Sequence, residues 1–337
     1  MTAIAPYLSA YLRDHLPRER GASPRTCETY AYAFQLFIDF VARQQKCLPS
    51  KLELESLDAP MVLAFLDHLE KNRGNSPRTR NARLAAINAF FRFLEYRLPS
   101  CLDQARQIHA LPQKKTDDRL VDYMTKAEIQ ALLDAPNPSA LIGIRDRAML
   151  HLAFAAGLRV SELIGLDLDE IQIKPHPTIH VHGKGRRERV LPLWKETATA
   201  LQSWLSVRFL SQSSRLFLNA RGRPMTRSGF EYILAKHVEV ACLKQPSLEK
   251  KRISPHVLRH SCAMHTLQAT RDIRKVALWL GHTSLQSTEV YLRADPTEKL
   301  EALAGGTSPV LKRGHFREPD ELMRLLDSVK KDARYAE

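Results

Sequence analysis

The chain has 337 residues, 44% of them hydrophobic and 26% charged. It can bury a substantial core and exceeds the roughly 250–300 residues at which one core stops growing, so two domains are expected. Lys and Arg number 51 against 37 Asp and Glu, and this formal charge of +14 speaks against an acidic or neutral partner and for a polyanion such as nucleic acid.

The first hundred residues read as helices. Ser23-Pro24 is a favoured cap and first-turn pair, and Tyr30, Phe34, Phe37, Ile38 and Val41 after it share one helical face. A second helix is predicted at Met61, Val62, Phe65, Leu66 and Leu69, and a third after Ser76-Pro77 with Leu84, Ile87, Phe91 and Leu94 on one face. Ser-Pro-Arg-Thr opens a helix twice, at 23–26 and at 76–79. A helix N-terminus bearing an Arg and a hydroxyl is a good phosphate dock, which makes Arg25, Thr26, Arg78 and Thr79 candidate DNA contacts; shared capping chemistry explains the repeat equally well.

From Leu98 to Val121 the sequence is irregular and polar, and residues 109–120 are the expected linker between a domain at 1–108 and one at 121–304. Thr125-Lys-Ala-Glu128 is a capping box that opens a helix burying Ile129, Leu132 and Leu133. A helix near 143–156 ends at Gly157. Strands are expected at 171–174, 178–182 and from 186, with Gly183-Lys184-Gly185 as the tight turn of a hairpin. Further helices are expected near 195–209, 227–242, 255–268 and 271–280. In a tail from 305 to 337, Leu322, Leu325, Leu326 and Val329 form a last apolar stripe.

Four segments of the second region carry residues suited to a phosphodiester. GLRVSEL at 157–163 sets Arg159 between a helix stop and a new helix start. The hairpin HGKGRRERV puts Lys184 at its tip. SPHVLRH at 254–260 places His256 and Arg259 on one helical face, and LGHTSLQSTEVYL at 280–292 holds His282 and Tyr291. Singly, each has a plain alternative as a solvated charge or a core aromatic. Metal catalysis is not expected. His256 and His260 are spaced i, i+4 and His180 and His182 alternate on a strand, yet HVLRH lacks the Glu that zinc hydrolases use as base. The five cysteines are scattered without a C-x-x-C pair, so neither a disulfide framework nor a thiolate zinc site is encoded. No run approaches the ~18 apolar residues of a membrane span, and the N-terminus has no basic segment leading into an apolar one. The expectation is a cytoplasmic protein with no membrane partner and no cofactor.

Together, in this order and spacing, the four segments resemble the tyrosine recombinase (phage integrase) family over residues 125–291, with Xer-type and transposon-borne integrases most similar in size. Residues 23–94 resemble its helical, SAM-like core-binding domain. The resemblance implies a mainly α fold with a small antiparallel sheet, a helical N-terminal domain and a mixed α/β catalytic domain. It also implies that Tyr291 attacks the scissile phosphate to form a 3′-phosphotyrosyl link. Arg159 and Arg259 would clamp the non-bridging oxygens, His256 would manage the tyrosine proton, and His282 would donate to a phosphate oxygen. Lys184 would protonate the leaving 5′-oxygen, and Glu162 would buttress Arg159 or a histidine. Arg186 and Arg187 on the hairpin would contact DNA. The implied partners are duplex DNA with paired half-sites and a homotetramer, alone or with related recombinases, that exchanges strands through a Holliday junction, the tail docking on its own domain or a neighbour's. A type IB topoisomerase and a non-catalytic accessory integrase are the alternatives.

Overall fold

The computed structural model describes residues 2–116, 120–183, 187–208, 213–282, 284–295 and 320–328 except 322 and 327. The chain divides into two units, Met1–Arg119 and Leu120–Glu337.

The first unit is helical: α1 (Ile4–Ala10) running into a π-helical stretch (Tyr11–Glu19), then α2 (Pro24–Gln45), α3 (Ala59–Lys71), α4 (Pro77–Arg97) and α5 (Leu102–His109). Capping residues set the starts of the three long helices. Ser23 Oγ accepts from the Thr26 N–H at 3.2 Å, Asp58 Oδ1 from Met61 at 2.8 Å and Ser76 Oγ from Thr79 at 3.3 Å, each with proline in the first turn. The apolar faces expected of α2, α3 and α4 meet in one core, where Phe34 and Phe90 lie 5.2 Å apart between ring centroids and Phe37 and Phe65 5.0 Å apart. Burying each such ring contributes about 1.5–3 kcal/mol. Two elements differ from the sequence reading. The π-helical stretch delivers Tyr11 into the aromatic cluster, and α5 lies inside the stretch read as irregular, burying Ala105 and Ile108.

The second unit begins with α6 (Lys126–Leu133). Its capping box is formed, since Thr125 Oγ1 accepts from Glu128 N–H at 3.3 Å and Glu128 Oε2 from Thr125 N–H at 2.7 Å. Then come α7 (Leu141–Ala155), α8 (Val160–Gly165), the strands β1 (Ile171–Gln172), β2 (Thr178–His182) and β3 (Glu188–Pro192), and α9 (Lys195–Val207), α10 (Arg227–Cys242), α11 (Pro255–Thr270), α12 (Ile273–Leu280) and α13 (Glu289–Ala294). The strands form one antiparallel sheet in the order β1-β2-β3, with His182 opposite Glu188. The first strand is two residues long rather than the four expected. Ile179 and Val181 of β2 and Leu191 of β3 bury one face of the sheet in the core with α7 and α10. The other face carries His180, His182 and Glu188, with Val190 exposed opposite His180. The start of the unit is tied to α11: Ser261 Oγ accepts from Met124 N–H at 2.9 Å, and the His265 ring lies 2.9 Å from the Met124 carbonyl.

Of the tail stripe, Leu322 and Val329 lie outside the described residues, while Leu325 and Leu326 are exposed. No helix among the described residues is long and apolar enough to cross a membrane.

Candidate active site

Glu162, on the first turn of α8, is the centre of the site. Its carboxylate is almost fully buried and faces three guanidinium groups: Arg159 Nη1 at 2.6 Å, Arg189 Nη2 at 2.8 Å and Arg259 Nη1 at 3.8 Å. Burial alone would raise its pKa, but the bonds and charge of Arg189 and the N–H and guanidinium of Arg159 outweigh that and hold it below the usual carboxylate range. Three cations around one anion leave two positive charges uncompensated in a largely desolvated pocket. Such an arrangement is made to receive an anion.

Arg259 is delivered by α11, which Ser254 caps by accepting from Val257 N–H at 3.3 Å, with Pro255 in its first turn. Its fork donates to the carbonyls of Gly157 and Leu280, the latter at 2.7 Å, and burial with Arg159 nearby lowers its pKa to about 10, so it stays protonated at neutral pH. Gly157 has φ +56°, and a Cβ there would meet Leu280 Cδ2 at 2.7 Å and Cys262 Sγ at 3.1 Å; only glycine lets this carbonyl turn to Arg259. Arg159 keeps its side chain one-third exposed (34%), so it opens toward solvent where Arg259 does not.

Tyr291, on α13, is buried, and its hydroxyl lies 2.9 Å from His260 Nδ1. Burial pushes the phenol up to about 12 against the opposing pull of Arg259 and Arg159. His260 is shifted down by burial and by His256 and Arg259, so its ring is neutral and able to accept a proton at pH 7. Here the observed contact differs from the sequence reading. It is His260, the residue weighed there only as a metal partner, that meets the phenol; His256 is exposed, its ring 6.4 Å from that of His260. His282 stacks nearly parallel to Tyr291 at 6.5 Å, and its Nδ1 lies 2.8 Å from Thr288 Oγ1. Burial and the three arginines depress His282 to about 4.

The structure therefore brings Arg159, Glu162, Arg259, His282 and Tyr291 together, and it adds Arg189, His260 and Thr288. Arg189 had a faint signal, since 187, 189 and 191 share one face of β3 and Leu191 is buried. Its Nε is buried without a partner among the described residues. Lys184 and Arg186 lie outside the described residues, and Arg187 is exposed at the hairpin. In the first unit Arg25 is exposed and paired with Glu28 at 3.0 Å, and Arg78 is exposed. The Thr26 and Thr79 hydroxyls bond to their capping serines at 2.9 and 3.1 Å.

Comparison with known proteins identifies a family. Residues 122–298 match the phage integrase family, and residues 8–97 match the phage integrase N-terminal SAM-like domain. The chain belongs to the phage integrase family. It is 40% identical over 328 residues to y4rC of Sinorhizobium fredii, a chain named as an integrase/recombinase, covering 97% of this chain and 98% of the other. It is 36% identical over 286 residues to the tyrosine recombinase XerC of Pelotomaculum thermopropionicum, covering 82% and 90%. Among solved structures, the XerH site-specific recombinase in a post-cleavage complex with its palindromic difH substrate matches with a TM-score of 0.67 at 22% identity, covering 88% of this chain and 84% of the other. The likeness to XerH is one of fold. The family is one of DNA strand transferases, and this member is a tyrosine-type site-specific recombinase.

Proposed function

We propose that this recombinase cleaves and rejoins DNA with Tyr291 as nucleophile. The observation that carries the assignment is the Tyr291 hydroxyl held against a neutral histidine beside three arginines that share one carboxylate. The Tyr291 oxygen forms a bond to phosphorus as the bond to the 5′-oxygen breaks. The phenolic proton passes to His260 Nδ1, and the 5′-oxygen leaves with a proton from Lys184. Attack by a 5′-hydroxyl from the partner strand reverses these steps and needs no external energy source. Arg159 and Arg259 bind the non-bridging oxygens, with Arg189 and Glu162 fixing their forks. His256, exposed on the same helix, supplies a further phosphate contact. Neutral His282 acts through its tautomer. Its Nδ1 lies 2.8 Å from the Thr288 hydroxyl; with that hydroxyl donating, the ring proton sits on Nε2 and serves a phosphate oxygen.

The first unit binds the duplex backbone through Arg25, Thr26, Arg78 and Thr79 at two helix N-termini, and Arg186 and Arg187 add contacts from the hairpin. Four protomers, alone or with related recombinases, exchange strands at paired half-sites through a Holliday junction. The exposed Leu325 and Leu326 suit docking of the tail on an adjacent protomer, for which the apolar groove of about 1200 Å³ beside Ile129, Leu133, Phe154 and Trp194 is a fitting acceptor.

Incubating Tyr291→Phe with its recombination site tests the chemistry. Binding is retained and no adduct survives denaturing electrophoresis; a persistent adduct would move the nucleophile elsewhere, with the exposed Tyr232 the first to examine. Wild-type relaxation of supercoiled DNA lacking any site would favour topoisomerase chemistry instead.

A further inference from the structure

The polar face of the sheet holds a side-chain cluster that the phosphoryl transfer does not use. His180 and His182, two apart on β2, project opposite to the buried Ile179 and Val181, and Glu188 sits across the register from His182. Glu188 reaches both rings, with Oε2 3.0 Å from His180 Nε2 and Oε1 3.3 Å from His182 Nδ1. The donor atoms of these three residues all lie within 4.8 Å of one another.

We propose that His180, His182 and Glu188 form a binding site for a divalent transition metal, Zn²⁺ in the first instance, which bridges β2 to β3 at the mouth of their hairpin. Three observations converge. A tetrahedral ion with bonds of ~2.0–2.1 Å holds its donors about 3.3 Å apart; one nitrogen of each ring already lies 3.0–3.3 Å from one Glu188 oxygen, Oε2 for His180 and Oε1 for His182, so a turn of the carboxylate and a swing of the two rings puts one donor of each residue around a single ion. The donor chemistry of two imidazoles and one carboxylate suits zinc, with the fourth position open to water. The orienting group is also in place: His182 turns its other nitrogen, Nε2, to Glu170 Oε1 at 2.9 Å, and Glu170 is largely buried. A carboxylate behind a ligating histidine fixes its tautomer and raises its basicity. Glu170 and Glu188 bring two carboxylates to this patch, and their charge favours a cation there.

The ion would tie the last register pair of the hairpin whose turn carries Lys184. That consequence rests on the role proposed for Lys184; metal binding itself does not, and the two are measured separately. Calorimetric titration of the chelator-stripped full chain with Zn²⁺ is expected to show one equivalent bound with a dissociation constant of about 1 µM or tighter. His180→Gln, His182→Gln and Glu188→Gln each weaken it at least tenfold, and Glu170→Gln weakens it about 10–100-fold through the ring it orients. These side chains lie at the exposed face of a hairpin, and an unchanged circular dichroism spectrum verifies that the variants fold. No binding up to about 100 µM overturns the proposal. So does an equivalent that survives all three ligand substitutions or vanishes only in His256→Gln or His260→Gln. Cleavage rates with and without Zn²⁺ then report on the hairpin alone.

Discussion

The Tyr291 hydroxyl and His260 Nδ1 lie 2.9 Å apart, joining α13 to α11 across 31 residues of sequence. The pair couples a phenol pushed up to about 12 to a histidine pushed down, so the shared proton rests on oxygen until a phosphate arrives. Only the neutral ring can take that proton. Because the His260 pKa is below 6.5, the competent form predominates at neutral pH and is lost only as the pH falls through that depressed value. Single-turnover adduct formation is therefore flat around pH 7 and declines on the acid side. His260→Gln keeps a polar side chain without basicity; it slows the step by about 10²–10⁴-fold and removes the acid limb. An acid limb unchanged in His260→Gln would assign the base to another group.

Glu162 holds its arginines by charge as well as by geometry. Glu162→Gln keeps the shape and leaves three guanidinium groups without their carboxylate, so it should cost about 3 kcal/mol of stability in denaturant unfolding and at least a hundredfold in cleavage. Combining it with Arg189→Gln removes one of the repelling charges. The double variant is then less destabilised than the sum of the singles, and strict additivity would show that the two residues do not interact.

Lys184 is tested through its leaving group. Lys184→Ala is slow on ordinary DNA and recovers cleavage when sulfur replaces the 5′-bridging oxygen, because a thiolate departs without a proton. Absence of recovery would limit Lys184 to phosphate binding.

Truncation after residue 310 removes the apolar side chains of the tail, including the exposed Leu325 and Leu326. If they dock on a neighbour, binding to a single half-site is nearly unchanged, while cooperative binding to a full site weakens and recombination is lost. Equal weakening at half and full sites would show that the tail completes its own domain.

Much of this molecule was legible because its local chemistry is explicit. Ser-Pro starts and the Thr125–Glu128 box mark element boundaries where side chains bond to their own backbone. The π-helical stretch was not legible, since it departs from the 3.6-residue period and contains Pro17, and eight-residue α5 buries only two residues, too few for a pattern. At the site, spacing identified the residues that the family motifs share. It could not distinguish His256 from His260, which lie on the same side of one helix, because what separates them is the position of α13, set by packing of Tyr291 against Ala263, Met264 and Leu267. Arg189 and Thr288 escaped for the same reason, as each acts through a partner distant in sequence or hidden in a turn.

The long-range bonds that close the catalytic unit bear on when the protein becomes dangerous. Arg259 reaches back 102 residues to Gly157, and His265 reaches back 141 to Met124. Contacts so remote in the chain carry a high loop-closure cost and slow folding, and Tyr291 follows every other member of the constellation in the chain. On the role proposed for Tyr291, a fragment ending short of α13 lacks its nucleophile and cannot leave a strand cut and unsealed.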